Sequence, residues 1–282
     1  MKLAVASGKG GTGKTTVAVA LALAAKGEVQ YLDCDVEEPN GQIFLHPKRV
    51  CREGVTVPIP ALNSDLCNGC GECGSICQFN AIVALQTKPL VFAELCHGCG
   101  GCVKVCPQQA LVEKHKTIGQ LTMGGCGHIS YIQGRLAVGE AMSPPLIRAV
   151  KKYLRPDVLN IIDCPPGTSC PMISAVRDSD FTLLVTEPTP FGLHDLELAV
   201  AAMRELQMPC GVVINRCDSG DRRVEEYCHA QQVPIMASIP EHRCIAEAYS
   251  RGETVLDAVP AMRPLFARLL DAVRLSIAGR AA

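Results

Sequence analysis

Two stretches of the chain hold side chains whose types and spacing can do chemistry. The first, Gly8 to Thr15, reads GKGGTGKT and fits the spacing G-x-x-x-x-G-K-T. Its glycines, Gly8, Gly10, Gly11 and Gly13, let backbone N–H groups converge on phosphate oxygens. Thr12, Thr15 and Thr16 lie along the same stretch, where a helix opens and adds its partial positive charge. Lys14 is placed to reach the β- and γ-phosphates of a nucleoside triphosphate, and Thr15 to ligate its Mg²⁺. The plain alternative is a glycine-rich turn with an incidental lysine. The strand before the loop, the helix after it and a downstream carboxylate, Asp163, weigh against that.

The second stretch holds thiols. Cys67, Cys70, Cys73 and Cys77 are spaced C-x-x-C-x-x-C-x-x-x-C, and Cys96, Cys99, Cys102 and Cys106 repeat the spacing, with Pro107 following. This is the spacing of a bacterial two-cluster ferredoxin, in which three thiolates of one run hold one 4Fe–4S cube and the fourth holds the other. One cluster is therefore expected on Cys67, Cys70, Cys73 and Cys106, and a second on Cys96, Cys99, Cys102 and Cys77. Zinc is the rival metal, because C-x-x-C pairs also build zinc knuckles. Gln78 stands where a proline often follows the fourth cysteine, which removes no ligand. His97 reads as a solvent-facing loop residue rather than a ligand. Acidic and basic residues are nearly balanced in this segment, so docking of a redox partner need not depend on charge steering.

Composition narrows the classes. The chain has 282 residues, 48% of them hydrophobic, and a formal charge of −1, so it is globular with no basic field to gather nucleic acid or an anionic membrane. Its longest apolar stretch, Val17 to Ala25, falls short of the roughly 20 residues that span a bilayer. The opening MKLAVAS runs straight into the glycine-rich loop and reads as a strand, not a leader. Seventeen cysteines in a chain this long, most of them in short-spaced runs, fit metal ligation in a reducing cytoplasm better than disulfides.

The elements that must position these residues alternate. Strand-like apolar runs end at Asp33, Asp163, Thr186, Asn215 and Ser238, and helical stretches are expected over 14–26, 146–154, 193–206, 223–229, 245–251 and 264–277. Such runs belong in a doubly wound, mainly parallel α/β sheet. Between about Leu62 and Glu113 the alternation stops. The pattern predicts a small ferredoxin-like α+β domain at 61–114, entered past Pro58 and Pro60 and inserted into an α/β domain made of 1–60 and 115–282.

A second lysine, Lys9, sets this loop apart from an ordinary phosphate loop. KGGTGKT resembles the deviant form of the MinD, ParA and nitrogenase iron-protein superfamily. The resemblance implies that Lys9 reaches across a dimer to the other subunit's nucleotide. LDCDVEEPN resembles that family's first switch, with Asp35 orienting the attacking water and Asp33 supporting the Mg²⁺ site. IIDCPPG resembles its Walker B strand and second switch, with Asp163 holding the metal through water. VTEPTPFGLHDL and VVINR resemble the branch that carries an inserted ferredoxin domain, and there Asn215 and the Pro240 segment contact adenine. Taken from the residues alone, Asp33 and Asp35 are equally strand-end carboxylates and Asn215 equally a cap.

Cys126, in GGCGH, and Cys170, just past the second switch, resemble the pair with which nitrogenase-type iron proteins hold one cluster between two subunits. Plain packing is the other reading of both. The last apolar stretch, Leu265 to Ile277, suits either a surface helix on the core or an amphipathic membrane helix, and the first is preferred. The cofactors implied are ATP, Mg²⁺ and two 4Fe–4S clusters, with the inter-subunit metal site as a further expectation. The partners implied are a second copy or a related ATPase, and a redox or metal-cluster protein. The expected function is ATP binding and hydrolysis coupled to electron delivery or to cluster assembly and transfer. A nucleotide-dependent positioning scaffold with a redox-sensing or structural ferredoxin module is the alternative.

Overall fold

A computed structural model describes residues 1–85 and 88–281. The strands are β1 (Lys2–Ala6), β2 (Val29–Asp33), β3 (Lys48–Leu62), β4 (Ile82–Val83), β5 (Leu90–Val91), β6 (Leu111–Cys126), β7 (Ile129–Leu136), β8 (Leu159–Asp163), β9 (Phe181–Thr186), β10 (Cys210–Asn215) and β11 (Ile235–Ile239). The helices are α1 (Lys14–Ala24), α2 (Gly41–Leu45), α3 (Glu72–Ile76), α4 (Gly101–Val105), α5 (Pro144–Lys151), α6 (Cys170–Val176), α7 (Pro190–Glu205), α8 (Arg223–Ala230), α9 (Arg243–Ser250), α10 (Val255–Ala258) and α11 (Arg263–Ala281).

Nine strands form one sheet in the order β11-β10-β9-β1-β8-β2-β7-β6-β3. The pairs from β11 through β7 run parallel. β8 and β9 are buried along their whole length, as apolar strands covered on both faces must be. The mainly parallel α/β sheet expected from the sequence is thus present. Helices α1 and α11 cover one face: Val17 and Leu21 join Phe266, Leu269, Leu270 and Val273 over Leu3, Val5, Tyr31 and Ile161. The apolar stripe of the last helix is therefore spent on the core. Among the described residues no helix is long and apolar enough to cross a membrane.

The chain divides into two compact units. The first comprises Met1–Arg52, Leu121–Arg135 and Ile147–Ala282, and the second Glu53–Gln120 and Leu136–Leu146. Residues 61–114 lie wholly within the second, which takes in further chain on either side. Its own small core is Cys73, Ile82, Cys102 and Leu111. Here β4 and β5 pair antiparallel and α3 packs on α4. The halves repeat each other in backbone as in sequence. Gly71 and Gly100, both left-handed, open α3 and α4, and Asn80 and Gln109 take up left-handed φ values of 52° and 50° at matching places.

The strands β3, β6 and β7 were not legible as apolar runs. β3 is mostly exposed and β6 carries Glu113, Lys114, His115 and Lys116. Hydrogen bonding to neighbours, not an apolar run, makes them strands. Cys126, within GGCGH, ends β6.

Candidate nucleotide and metal sites

The loop after β1 owes its shape to its glycines. Gly11 and Gly13 sit at φ 80° and 91°, where a side chain is strained, and Gly13 leads directly into α1. A Cβ on Gly13 would lie 2.5 Å from Nδ2 of Asn215, and one on Gly8 would lie 2.1 Å from the Asp195 carbonyl oxygen. The loop is therefore pressed against α7 on one side and the end of β10 on the other. Asn215 donates from Nδ2 to the Thr12 carbonyl at 2.9 Å, bracing the loop from beneath. This brace is a role that the sequence did not reveal.

The carboxylates are placed by strand register. Parallel pairing of β2 with β8 sets Asp33 opposite Asp163, both fully buried at the ends of their strands. Asp33 Oδ2 accepts from the Gly41 N–H at 2.9 Å and from the Tyr131 hydroxyl at 3.4 Å, and Oδ1 accepts from the Asp35 N–H. Asp163 Oδ2 accepts from the Tyr31 hydroxyl at 2.8 Å. Burial raises the pKa of Asp33 well above its ordinary range, and the neighbouring Asp163 charge adds to the shift. Burial also raises Asp163, opposed by Lys14 and by the Thr15 hydroxyl. Asp35, half-buried, is raised to about 6, chiefly by burial with Lys14 opposing.

Among the described residues, two buried polar atoms here have no partner at hydrogen-bonding geometry: Asp163 Oδ1 and Thr12 Oγ1. An unpartnered buried carboxylate oxygen is costly, and a hydrated cation would satisfy it. The residues present thus fit Mg²⁺, which Thr15 and Asp163 would hold, with Asp33 paired in register beside Asp163.

Gly10, Gly11, Gly13, Lys14, Thr15, Thr16 and Asp35 line a cleft of about 1360 Å³, mouth included, and Asn215, Pro240, Tyr249 and Phe266 line it too. A nucleotide's phosphates and its base can share such a cleft. Gly8, Thr12, Asp33 and Asp163 are not among its lining residues. Lys9 points elsewhere, its Nζ lying 4.0 Å from Glu187, which also accepts from Arg216 at 2.8 Å. Tyr31 and Tyr131, stacked with centroids 5.8 Å apart, were not foreseen. Tyr31 lies two residues before Asp33 on the same strand, so alternation puts both on one face. That spacing was the available signal. Tyr131 had none, because β7 itself was missed.

The eight spaced cysteines surround two cavities. Cys77, Cys96, Cys99 and Cys102 line one of about 610 Å³, mouth included, and Cys67, Cys70, Cys73 and Cys106 line another of about 400 Å³. These are the two crossed sets expected from the spacing. Backbone N–H groups point at the sulfurs, from Gly98 to Cys96 at 3.5 Å and from Ala110 to Cys106 at 3.3 Å. Burial acts to raise Cys77, but N–H groups from Phe79 to Ile82 outweigh it and lower its pKa overall. Among the described residues, no three His, Cys, Asp or Glu side chains converge closely enough to hold a single metal ion. Thiols spread around a space suit a body wider than one ion, and N–H···S contacts suit thiolate ligands. Four thiols around each cavity are compatible with the 4Fe–4S cubes expected from the spacing.

Cys170 is exposed at the start of α6, whereas Cys126 is half-buried and packs against the main core.

A phosphate loop opening a helix, with aspartates ending the neighbouring strands of a parallel sheet, defines a P-loop nucleotide-binding protein. Residues 3–255 match the CobQ/CobB/MinD/ParA nucleotide binding domain, and the chain belongs to that family. It is 40% identical over 200 residues to an uncharacterised protein of Methanocaldococcus jannaschii, covering 69% of this chain and 70% of that one. It is 28% identical to a second protein of that organism over 287 residues, covering 91% of each. It is also 26% identical over 282 residues to the iron-sulfur cluster carrier protein of Aquifex aeolicus, covering 92% of this chain and 62% of the carrier. Among solved structures, the Pyrococcus furiosus cell division ATPase MinD aligns with TM-score 0.56 at 21% identity, over 97% of this chain and 98% of that one. A ParA family ATPase from Chlorobium tepidum aligns with TM-score 0.57 at 14% identity, over 97% and 98%. At these identities the structures share the fold.

Proposed function

We propose that this chain is an ATPase that couples nucleotide binding and hydrolysis to electron delivery, or to assembly and transfer of metal–sulfur clusters, through a ferredoxin-like insert with two 4Fe–4S clusters. One observation carries the reading: a single chain holds a triphosphate cleft and two four-cysteine cavities. Similarity to an iron-sulfur cluster carrier supports the metal half.

Lys14 and the loop N–H groups take the β- and γ-phosphates, and Asn215 keeps the loop in shape from below. The Pro240 side of the cleft takes the base. Bound Mg²⁺ would neutralise charge on the transferring phosphoryl group. Tyr31 occupies Asp163 Oδ2, which leaves Oδ1 available to that ion. Asp35, facing the cleft, orients water for attack on the γ-phosphorus, and ADP is the leaving group. Lys9, paired loosely with Glu187 in the single chain, is the residue that crosses to a second subunit's nucleotide. Clusters, when bound, supply one-electron chemistry. An inter-subunit metal site on Cys126 and Cys170 belongs to the same proposal. Its exposed half is Cys170, and its weaker half is Cys126, whose side chain is already engaged by the core.

The positioning scaffold remains the second reading, favoured by the likeness to MinD and ParA structures. Anaerobic protein assayed with a low-potential electron donor and a small-molecule acceptor separates the two. ATP-dependent electron flow or cluster release supports the coupled ATPase. Nucleotide-dependent assembly with neither supports the scaffold.

A further inference from the structure

The two strand-end aspartates differ in what they leave free. Both oxygens of Asp33 are engaged: Oδ1 accepts from the Asp35 N–H, and Oδ2 accepts from the Gly41 N–H and the Tyr131 hydroxyl. Asp163 has Oδ2 engaged by the Tyr31 hydroxyl at 2.8 Å, and among the described residues its Oδ1 has no partner at hydrogen-bonding geometry. The pair therefore presents a single carboxylate oxygen, and the Tyr31 hydroxyl is what prevents a second.

Tyr31 has little freedom to point elsewhere. Its side chain is fully buried on β2, and its ring lies against that of Tyr131 with centroids 5.8 Å apart and planes 15° from parallel. The backbone of α2 closes on both rings at Gly41, where a Cβ would lie 2.8 Å from Tyr31 Cε1 and 3.3 Å from Tyr131 Cε2. Breaking the bond to Asp163 would leave a phenol donor and a carboxylate oxygen buried and unpaired together, so the bond persists when Oδ1 takes a ligand.

We propose that the Tyr31 hydroxyl makes this site selective for Mg²⁺ over Ca²⁺ by restricting Asp163 to one oxygen. This rests on the reading that the cleft binds a nucleotide with its metal. Mg²⁺ demands a near-ideal octahedron, keeps several of its waters and uses few carboxylate oxygens. One oxygen serves it, directly or through one of those waters. Ca²⁺ takes more oxygens at longer distances and commonly draws both from one carboxylate. With Oδ2 held by Tyr31, Asp163 cannot supply the second.

The test measures ADP affinity of the full chain by titration calorimetry, with Mg²⁺ or Ca²⁺ in excess so that all the nucleotide carries metal. ADP is chosen so that hydrolysis plays no part. The unmodified chain should bind Mg·ADP about tenfold more tightly than Ca·ADP. Tyr31→Phe, which keeps the ring and frees Oδ2, should remove about that factor through a gain with Ca²⁺. Tyr131→Phe, which keeps the ring and takes a hydroxyl from Asp33 instead, should leave the preference unchanged, whatever it does to affinity. A packing defect weakens both complexes alike, so the preference separates the proposed role from a structural one. Equal affinities in the unmodified chain, a Tyr31→Phe variant that keeps the preference, or an equal shift in Tyr131→Phe would overturn the proposal. No ADP binding with either metal in the unmodified chain would overturn the nucleotide reading beneath it, an outcome told apart because no substitution is needed to see it. If Tyr31→Phe does not fold, Gly41→Ala decides: its Cβ displaces the Tyr31 ring and the preference for Mg²⁺ falls, or the proposal fails.

Discussion

The two units of this chain solve opposite problems. In the first, charged side chains are carried by a sheet whose core is complete without them: Leu3, Val5, Tyr31, Ile161 and Leu183 pack under Phe266 and Leu269, and Asp33 and Asp163 merely end the strands. In the second, Cys73 and Cys102 make up half of the four-residue buried core, so thiols proposed as metal ligands are themselves the packing. A core that small contributes little stability, and domains of this kind commonly depend on their metal to fold. On the proposed function, the α/β unit tolerates an empty site and the cysteine unit is completed by its clusters.

Removing the metal should sharpen that contrast most. Chelation of iron under anaerobic conditions should abolish amide-exchange protection in α3, α4, β4 and β5 while leaving it unchanged in β1, β8 and β9, as read by exchange mass spectrometry. Equal loss in both units would break the distinction.

Lys14→Ala acts on the other unit. It should weaken ATP binding by about a hundredfold, the ~3 kcal/mol of charge-assisted contacts to phosphate, with iron content untouched. Titration calorimetry that found unaltered affinity would remove the cleft as the nucleotide site. Cys73→Ser should cost about half the iron, since one of two clusters loses a ligand, and leave ATP affinity unchanged. Iron analysis showing full loading would exclude Cys73 as a ligand.

The smallest expected effect concerns Asp35 in the nucleotide-free, metal-free chain. Its folded pKa of about 6 stands above the ordinary 3.8, so the folded state binds its proton more tightly than the unfolded state does. Ionising it costs stability as pH rises through about 6, and below about 4 the cost vanishes. Asp35→Asn should therefore melt a few degrees above the unmodified chain at pH 7 and together with it near pH 4, by scanning calorimetry. A difference that is constant with pH would mean that Asp35 titrates normally.

The same division of labour decided what could be read from the sequence. Strands buried on both faces have to be apolar throughout, which made VQYLD, FTLLVT and CGVVIN legible to the residue. The same signal in β2 and β8 located Asp33 and Asp163 at their ends. β3 and β6 are exposed over much of their length and carry charged residues, and β7, though mostly buried, interrupts its apolar residues with Ser130, Gln133, Gly134 and Arg135, so no apolar run marked them. With β7 went Tyr131, and with it the hydroxyl that reaches Asp33. The cysteine spacing sorted eight thiols into the two sets that line the cavities, because spacing is what a cluster requires of a chain. A stack of the Phe79 and His97 rings was invisible, since the two residues meet only when the halves of the repeat fold together.

The central claim is that the nucleotide cleft governs the metal chemistry, and the most direct measurement is the rate of cluster oxidation by a small-molecule acceptor in anaerobic, fully loaded protein, compared with ATP, with ADP and without nucleotide. Coupling predicts a rate with Mg·ATP that differs from both other states, and that difference should disappear in Lys14→Ala. Identical rates in all three states, while the same sample hydrolyses ATP, would contradict it.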